Sequence, residues 1–241
     1  MKATVFFTVD EVDGGALQDQ VAVVIDVLRA SSTIVAALAA GAHAIYPVES
    51  TEDALKLAAS LGRTDALLAG ERKGLKVDGF DLGNSPREFT PPQVGGKQIV
   101  MTTTNGTRAL VAASGADRVL VAGMVNVSAV ARVLAAAPRV AVVCAGSSGR
   151  FAIEDSLCAG MLLARLAEGG ALELEDTGRA ALALAGAFGA DAGFLSGTKA
   201  GRGLADIGFA EDVSWCARVD AHDLVPELVD RRIGRGGNGQ A

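Results

Sequence analysis

A glycine-rich stretch between Gly70 and Pro86 carries more polar side chains than a connecting loop needs. A turn requires glycine and proline for its backbone, but it has no use for so many charges of both signs. Catalytic and binding residues collect on loops that a rigid scaffold presents. We therefore interpret the stretch as part of a site, with five candidate side chains: Glu71, Arg72, Asp81, Asn84 and Ser85.

A second candidate follows the apolar run Val21–Ile25, which has the composition of a buried strand and is followed by Asp26. In parallel α/β sheets, ligands bind in the crevice outside the carboxyl ends of the strands. Asp26 therefore stands where a metal ligand or a nucleophile would stand, with Arg29 close behind it, although Asp is also common in plain turns. The hydroxyls that follow could instead be helix caps: Ser31, Ser32 and Thr33.

A third cluster joins the apolar run Gln98–Thr102 to a helical pattern. The first amides and hydroxyls of a helix bind anions, a glycine lets the backbone approach closely, and an arginine adds a planar donor. We expect these residues to bind substrate: Thr103, Thr104, Asn105, Gly106, Thr107 and Arg108. A capped helix would explain the same segment. It is not a P-loop, because no GK[ST] is present.

Two adjacent acids, Glu154 and Asp155, open a helical pattern after the small-residue turn Gly146–Gly149. Acids at a helix start complement its dipole, and this role alone would explain them. They could instead supply oxygen ligands to Mg²⁺, which takes one or two carboxylates and keeps several waters. Since successive helical side chains diverge, we expect only one of the pair to face a given site, and we favour Asp155.

Together the clusters predict carboxylates and guanidinium groups at one edge of a sheet. Carboxylates gather a divalent cation, whereas guanidinium groups and backbone amides gather a substrate with more than one negative group. Phosphoryl chemistry needs that combination.

Alternating apolar and alanine-rich segments must position these clusters. Predicted strands are Thr4–Val9, Val21–Asp26, Ala44–Val48, Ala66–Ala69, Gln98–Thr102, Arg118–Ala122 and Arg139–Cys144. Predicted helices are Ser32–Ala40, Glu52–Leu61, Thr107–Ala113, Val127–Ala136 and Ile153–Glu168. Strands that are apolar throughout belong to sheets covered on both faces, and the alternation indicates βαβ units. We predict a three-layer α/β/α fold with a largely parallel or mixed central sheet.

The pattern becomes helix-rich from about residue 170, with predicted helices at Asp176–Gly189, Asp191–Gly197 and Glu211–Ala217, and then a short β-like piece. Gly234–Gly239 matches G-x-G-x-x-G, but no helix can follow it, so we reject a dinucleotide site. We expect residues 234–241 to form a flexible tail. The length suits one α/β domain spanning residues 1–241.

The composition argues against several partners and locations. A net charge of −6 and scarce aromatic residues disfavour nucleic acid. Asp10 comes too early for a signal peptide, and apolar runs are too short for a membrane span. Two histidines are too few for a multi-histidine metal site. We expect a cytoplasmic protein with three reduced core thiols: Cys144, Cys158 and Cys216. The alanine-rich helices could be core or the contacts of a homo-oligomer.

The internal motifs resemble those of the 2-phosphosulfolactate phosphatase family, which is known from coenzyme M biosynthesis. The similar segments are Asp26–Thr33, Gly70–Arg72, Gly79–Pro86, Thr102–Thr107 and Cys144–Asp155, with a weaker echo from Asp212 to Pro226. The resemblance covers nearly the whole chain. It implies a Mg²⁺-dependent acid phosphatase acting on a phosphorylated 2-hydroxy acid that bears a sulfonate, and three anionic groups would suit the arginines.

The leading hypothesis is therefore metal-assisted hydrolysis of 2-phosphosulfolactate to sulfolactate and phosphate. The expected metal ligands are Asp26, Asp81, Glu154 and Asp155, and the expected catalytic residues are Asp26, Glu71, Arg29 and Arg72. Asn84 and Ser85 would orient the substrate or its surroundings.

Two alternatives stay open. Asp26 could be a nucleophile, as in haloacid dehalogenase-like enzymes, although Leu28 stands where those enzymes have a second Asp. The chain could also be a non-catalytic anion-binding module. A pure anion binder gains nothing from four acids near its ligand, which weighs against that reading.

Overall fold

A computed structural model describes residues 1–62 and 65–236. Within them the strands are β1 Lys2–Phe6, β2 Val21–Ile25, β3 Ala44–Pro47, β4 Ala66–Arg72, β5 Leu75–Lys76, β6 Gln98–Thr102, β7 Arg118–Ala122, β8 Arg139–Cys144, β9 Glu173–Leu174, β10 Val225–Val229 and β11 Arg232–Gly236. The α-helices are α1 Ala30–Ala39, α2 Thr51–Leu61, α3 Pro91–Val94, α4 Gly106–Ala112, α5 Val127–Leu134, α6 Ile153–Glu168, α7 Asp176–Phe188, α8 Ala192–Ser196, α9 Lys199–Asp206 and α10 Ala210–Cys216.

The predicted elements are present, with three informative differences. The first strand ends at Phe6, and Val9 already belongs to a 3-10 turn, so the prediction of a strand reaching Val9 was wrong. β4 continues beyond Ala69 to Arg72 because it pairs with β5, which places Glu71 on a strand instead of a loop. Helix α9 was not predicted, since its sequence contains two glycines that lower helix propensity.

The mixed sheet has the order β5-β4-β6-β3-β11-β10-β7-β2-β8-β1-β9. Strands β4, β6 and β3 pair in parallel in one half, and β7, β2, β8 and β1 pair in parallel in the other. The antiparallel hairpin β10–β11 joins the two halves, because β11 pairs with β3 and β10 pairs with β7. The prediction of an α/β protein with a mixed sheet is therefore confirmed.

The sheet curls strongly between its halves. Four strands separate β2 from β6, so in a flat sheet the two strand axes would lie about 24 Å apart, with the carboxyl ends of the two strands at opposite edges. The four residues from Thr102 to Gly106 span at most about 14 Å. Nevertheless a Cβ atom on Gly106 would lie 2.7 Å from Asp26 Oδ2. The two halves share one apolar core, which includes Val24 of β2 and Ile99 of β6, together with α1 and α4.

Helices cover the opposite faces of both halves. Beyond β2, the side chains of Val23 and Ile25 pack into a cluster with residues of α5 and α6. Beyond β4 and β6, Leu68 and Val100 pack against α2. These layers agree with the predicted α/β/α architecture. The two parallel halves run in opposite directions, because three antiparallel pairings separate β7 from β3, so the predicted single edge is wrong and the curl of the sheet brings the carboxyl ends of β2 and β6 together.

The C-terminal strand corrects one prediction. Gly234 to Gly236 lie in β11 and pair with β10, so they are not part of a flexible tail. The rest of that predicted tail, residues 237–241, lies outside the described residues.

All three cysteines are buried and free of disulfides. None of the helices in the described part of the chain is both long and apolar enough to cross a membrane.

The contact between α6 and α7 makes a stability prediction. A Cβ atom on Gly160 would lie 1.9 Å from the carbonyl oxygen of Ala181. Gly160→Ala must therefore push the two helices apart, and we expect it to lower the free energy of unfolding by about 3 kcal/mol in urea titrations. Gly186→Ala is the matched control, because that site in α7 has open space and should gain up to about 1 kcal/mol. Equal effects of both variants would contradict the packing.

Candidate active site

Asp26 is buried at the carboxyl end of β2, where its carboxylate faces the start of α4. Its Oδ1 accepts a hydrogen bond from the Ala30 N–H at 3.2 Å, and the side chain of Ser31 accepts from the Asp26 N–H at 2.9 Å. Burial raises the pKa of Asp26 to about 7, and the charges of Glu71 and Glu154 add to the increase. A carboxyl group with this pKa changes its charge near neutral pH.

The acid pair at the start of α6 reaches the same place. Asp155 is 2% exposed, and its two oxygens accept the N–H groups of Val27 at 2.8 Å and Gly146 at 3.1 Å. Burial, followed by the charges of Asp26 and Glu154, raises the pKa of Asp155 well above its usual range. Burial also raises the pKa of Glu154. Both acids therefore lie within electrostatic reach of Asp26, although only one of them was expected to do so.

The carboxylate oxygens of these acids suit a Mg²⁺ ion that keeps several waters better than a metal ion enclosed entirely by protein ligands. In residues 1–62 and 65–236, no three His, Cys, Asp or Glu side chains form a preassembled metal-binding group. Mg²⁺ needs only one or two carboxylates and retains several waters. Both oxygens of Asp155 are already engaged by backbone amides, whereas Glu154 accepts no hydrogen bond from another described residue. Asp26 and Glu154 therefore have the freer oxygens.

Glu71 lies at the end of β4 and is held on both sides. It is 7% exposed, Oε1 accepts the Thr104 N–H at 2.7 Å, and Oε2 accepts the Gly74 N–H at 2.6 Å. Its charge contributes to the raised pKa of Asp26. The structure thus brings together the acids of three separate sequence clusters.

Asp81 does not join this group of acids. It is exposed, and its Oδ2 accepts the Leu68 N–H of β4 at 2.8 Å. The predicted metal-binding role of Asp81 stays a prediction, but its described contact is structural.

The three predicted arginines differ in what neutralises them. Arg29 is buried and forms an ion pair with Asp212 at 2.7 Å. Arg108 is exposed and forms an ion pair with Asp10 at 2.5 Å. Arg72 donates to neutral acceptors only, namely its neighbour's carbonyl oxygen, the Thr102 hydroxyl at 3.0 Å and the Glu49 carbonyl oxygen. Among the described residues Arg72 has no acidic partner, so its charge is available to an anion.

The polar groups of residues 103–107 mostly have hydrogen-bond partners within the protein. The N–H groups of Thr103 and Thr107 each donate to the other's hydroxyl at 3.1 Å, and the Thr104 N–H donates to Glu71. Asn105 Oδ1 accepts the Ser148 N–H at 3.0 Å and so links this cluster to the Gly146–Gly149 turn. Three of the amides that were expected to bind substrate therefore already have protein acceptors.

Gly106 allows α4 to approach Asp26. A Cβ atom there would lie 2.4 Å from the Ala30 Cβ atom and 2.7 Å from Asp26 Oδ2. The glycine was expected to let the backbone approach a ligand, and the structure adds that it first lets α4 approach α1. The hydroxyls of α1 bond to the surrounding backbone: Ser32 donates to Val27 and Thr33 to Asn84.

The segment after β5 supplies two further buried polar groups. Asn84 is 4% exposed, and its Oδ1 has no hydrogen-bond partner in the described structure. Buried polar atoms are nearly always bonded, so this oxygen is a candidate for contact with a ligand or water. Ser85 donates to Asp212 at 2.7 Å.

Asp212 is the residue that sequence reasoning missed. It is fully buried on α10 and accepts from both Arg29 and Ser85. The signal that could have found it is an acid on the same helix face as Cys216, which is also buried.

Three surface grooves of about 430 to 540 Å³ lie away from these acids. One of about 530 Å³ is lined by residues that include Pro47, Val111 and Arg231, and it contains none of the predicted site residues. We place the chemistry at the acids instead, because several buried carboxyl groups with raised pKa values meet there.

Comparisons with known proteins identify the family of this chain. A family model described as 2-phosphosulpholactate phosphatase matches residues 6–231, a span that contains every predicted site residue. The chain belongs to this family. It is a family of phosphoric monoester hydrolases, as the names of its members state.

Relatives of this family are similar over most of their length. A probable 2-phosphosulfolactate phosphatase of Caldanaerobacter subterraneus is 39% identical over 92% of each chain. One of Clostridium perfringens is 40% identical over 97% of this chain and 96% of its own. One of Deinococcus radiodurans is 42% identical over 87% of this chain and 88% of its own. The similarity therefore extends from β1 through the C-terminal helices.

Proposed function

We propose that this protein hydrolyses the phosphate ester of 2-phosphosulfolactate to give sulfolactate and inorganic phosphate, and that the reaction depends on Mg²⁺. The observation that carries the proposal is the meeting of the buried acids Asp26, Glu71 and Glu154. Arg72 follows Glu71 on β4 and has no acidic partner among the described residues. The relatives, which are named as probable phosphatases of this substrate, support the choice of substrate.

Asp26 and Glu154 would hold Mg²⁺ in this proposal, because their carboxylates are buried and not fully engaged. When bound, the ion neutralises negative charge on the phosphoryl group and orients it. Their raised pKa values fit this role, since burial disfavours both negative charges, and the charges of Glu71 and Glu154 add to the effect at Asp26. Asp155 keeps its two backbone hydrogen bonds and fixes the turn at Gly146.

The remaining roles follow from charge and from unused hydrogen-bonding groups. Arg72 would bind the phosphoryl oxygens, since guanidinium groups bind phosphate through two parallel hydrogen bonds. Asn84 would orient the surroundings of the substrate, because its unpartnered amide oxygen can accept a hydrogen bond from a water molecule. Glu71 would accept a proton from the attacking water, whose oxygen forms the new bond to phosphorus as the bond to the ester oxygen breaks. The leaving alkoxide takes up a proton from solvent.

A screen of phosphate release tests this proposal against a non-catalytic anion-binding module. The panel would hold 2-phosphosulfolactate, 2-phospholactate without the sulfonate, and p-nitrophenyl phosphate, each with Mg²⁺ and with EDTA. We expect the fastest release from 2-phosphosulfolactate and a loss of at least about 100-fold in EDTA. Tight binding of 2-phosphosulfolactate without phosphate release would favour the binding module.

A further inference from the structure

An unbroken series of contacts runs from the C-terminal helices to Glu71. Asp212 Oδ2 accepts from Arg29 Nη1 at 2.7 Å, and Arg29 Nη2 donates to the Gly74 carbonyl oxygen at 2.6 Å. The Gly74 N–H in turn donates to Glu71 Oε2 at 2.6 Å. The turn that follows Glu71 is thus tied through one guanidinium group to an acid of α10.

Apolar contacts reinforce the same connection. The Arg29 guanidinium lies 4.6 Å from the centre of the Phe209 ring, a cation–π distance. Ile207 lies against Gly74, because a Cβ atom there would come within 2.5 Å of its Cδ1. Ile207 and Phe209 both lie between α9 and α10, so the segment that joins these helices packs against the turn after Glu71.

The positive charge of Arg29 is balanced inside the protein by Asp212. Its side chain and that of Asp212 are 2% and 0% exposed, and Asp212 also accepts from Ser85. Removing one partner of a buried ion pair leaves the other uncompensated, which is costly. Arg29 was predicted to act on the substrate through its positive charge. Asp212 already balances that charge.

We propose that Arg29 and Asp212 are positioning residues: they fix the turn after Glu71 against the C-terminal helices and so hold the Glu71 carboxylate beside Asp26. The inference rests on the proposed function for its effect on turnover, but its structural part does not depend on it. Glu71 would thus be oriented from two sides, by Thr104 after β6 and by Gly74 through Arg29.

The test compares Arg29→Lys and Asp212→Asn with Asp220→Asn. Lysine keeps the charge but cannot span both acceptors. Asp220 is the matched control, because it accepts from an arginine and a serine, Arg165 and Ser128, with no connection to Glu71. We expect both test variants to lower kcat by roughly 10- to 100-fold with KM nearly unchanged, since small misplacements of a catalytic group cost that much. The control should keep wild-type kcat.

Hydrogen–deuterium exchange separates this proposal from the proposed function. We expect faster exchange in peptides covering residues 70–76 of Arg29→Lys and Asp212→Asn, and unchanged exchange there in Asp220→Asn. This result would support the positioning role even if the wild type released no phosphate. Ile207→Ala loosens the same turn without touching a buried charge, so it gives the readout if Asp212→Asn does not fold.

Two outcomes would overturn the inference. One is wild-type exchange in residues 70–76 of the folded variants. The other is a raised KM with unchanged kcat in Arg29→Lys, because that pattern marks a group that binds the substrate in its ground state.

Discussion

Asp26→Asn is expected to lower phosphate release by about 1,000-fold and at the same time to stabilise the metal-free protein at neutral pH. The two effects share one cause. Asp26 is buried beside Glu71 and Glu154, so its negative charge costs free energy that the Ala30 N–H and Arg29 offset only in part. The same charge is what the proposed reaction requires.

The substitution by asparagine removes the charge of Asp26 and changes little else. Its Oδ1 can still accept the Ala30 N–H, and its volume is nearly that of aspartate. We therefore expect the free energy of unfolding in EDTA at pH 7.5 to rise by roughly 1–3 kcal/mol in urea titrations. Asp206→Asn, at an exposed acid of α9, is the control and should change neither quantity. A variant that loses stability, or that keeps near-wild-type turnover, would contradict the assignment.

The stability of the metal-free protein should fall as pH rises from about 4 to about 7. Unfolded carboxyl groups titrate near pH 4, whereas Asp26 in the fold titrates at about 7. Over this window the folded protein holds more protons than the unfolded chain, so the free energy of unfolding decreases and then levels off. The shift at Asp26 corresponds to roughly 4 kcal/mol before coupling to its neighbours is counted.

Other titrating groups also contribute to this profile. Burial raises the pKa values of the two acids at the start of α6 as well, so they add to the fall in stability as pH rises. The pKa of Asp220 is lowered although burial opposes the change, because hydrogen bonds from Ser128 outweigh it, so its contribution is lost only below about pH 4. Burial lowers the pKa of His222, which works in the opposite direction up to about pH 6.5. Urea titrations in EDTA at pH 5 and pH 8 measure the net effect. Asp26→Asn should flatten the difference, and an equally steep profile in that variant would show that other groups cause it.

The sequence was sufficient to predict the polar residues at the ends of some strands and at the start of α6. A run such as Val21–Ile25 is apolar at every position, which only a strand covered on both faces requires, and it leads directly to Asp26. The same reasoning found Thr102 at the end of β6 and the acids at the start of α6. Local pattern identifies these residues because Asp26 and Thr102 lie at the ends of apolar runs and the two acids open a helical pattern.

The sequence could not show which of these ends meet. Asp26 and Gly106 touch only because the hairpin β10–β11 joins the halves of the sheet and the sheet curls around α1 and α4. That arrangement depends on contacts between residues more than 70 positions apart. The partner of Arg29 was hidden for the same reason, since Asp212 lies 183 residues further along the chain.

Phosphorus NMR of 2-phosphosulfolactate incubated with the protein and Mg²⁺ tests the central claim most directly. We expect the monoester signal to be replaced by an equal amount of inorganic phosphate, to persist when EDTA is present, and to persist with Asp26→Asn. An unchanged monoester signal with the folded wild type and saturating Mg²⁺ would contradict the proposed hydrolysis. Equal rates for the wild type and Asp26→Asn would contradict the site.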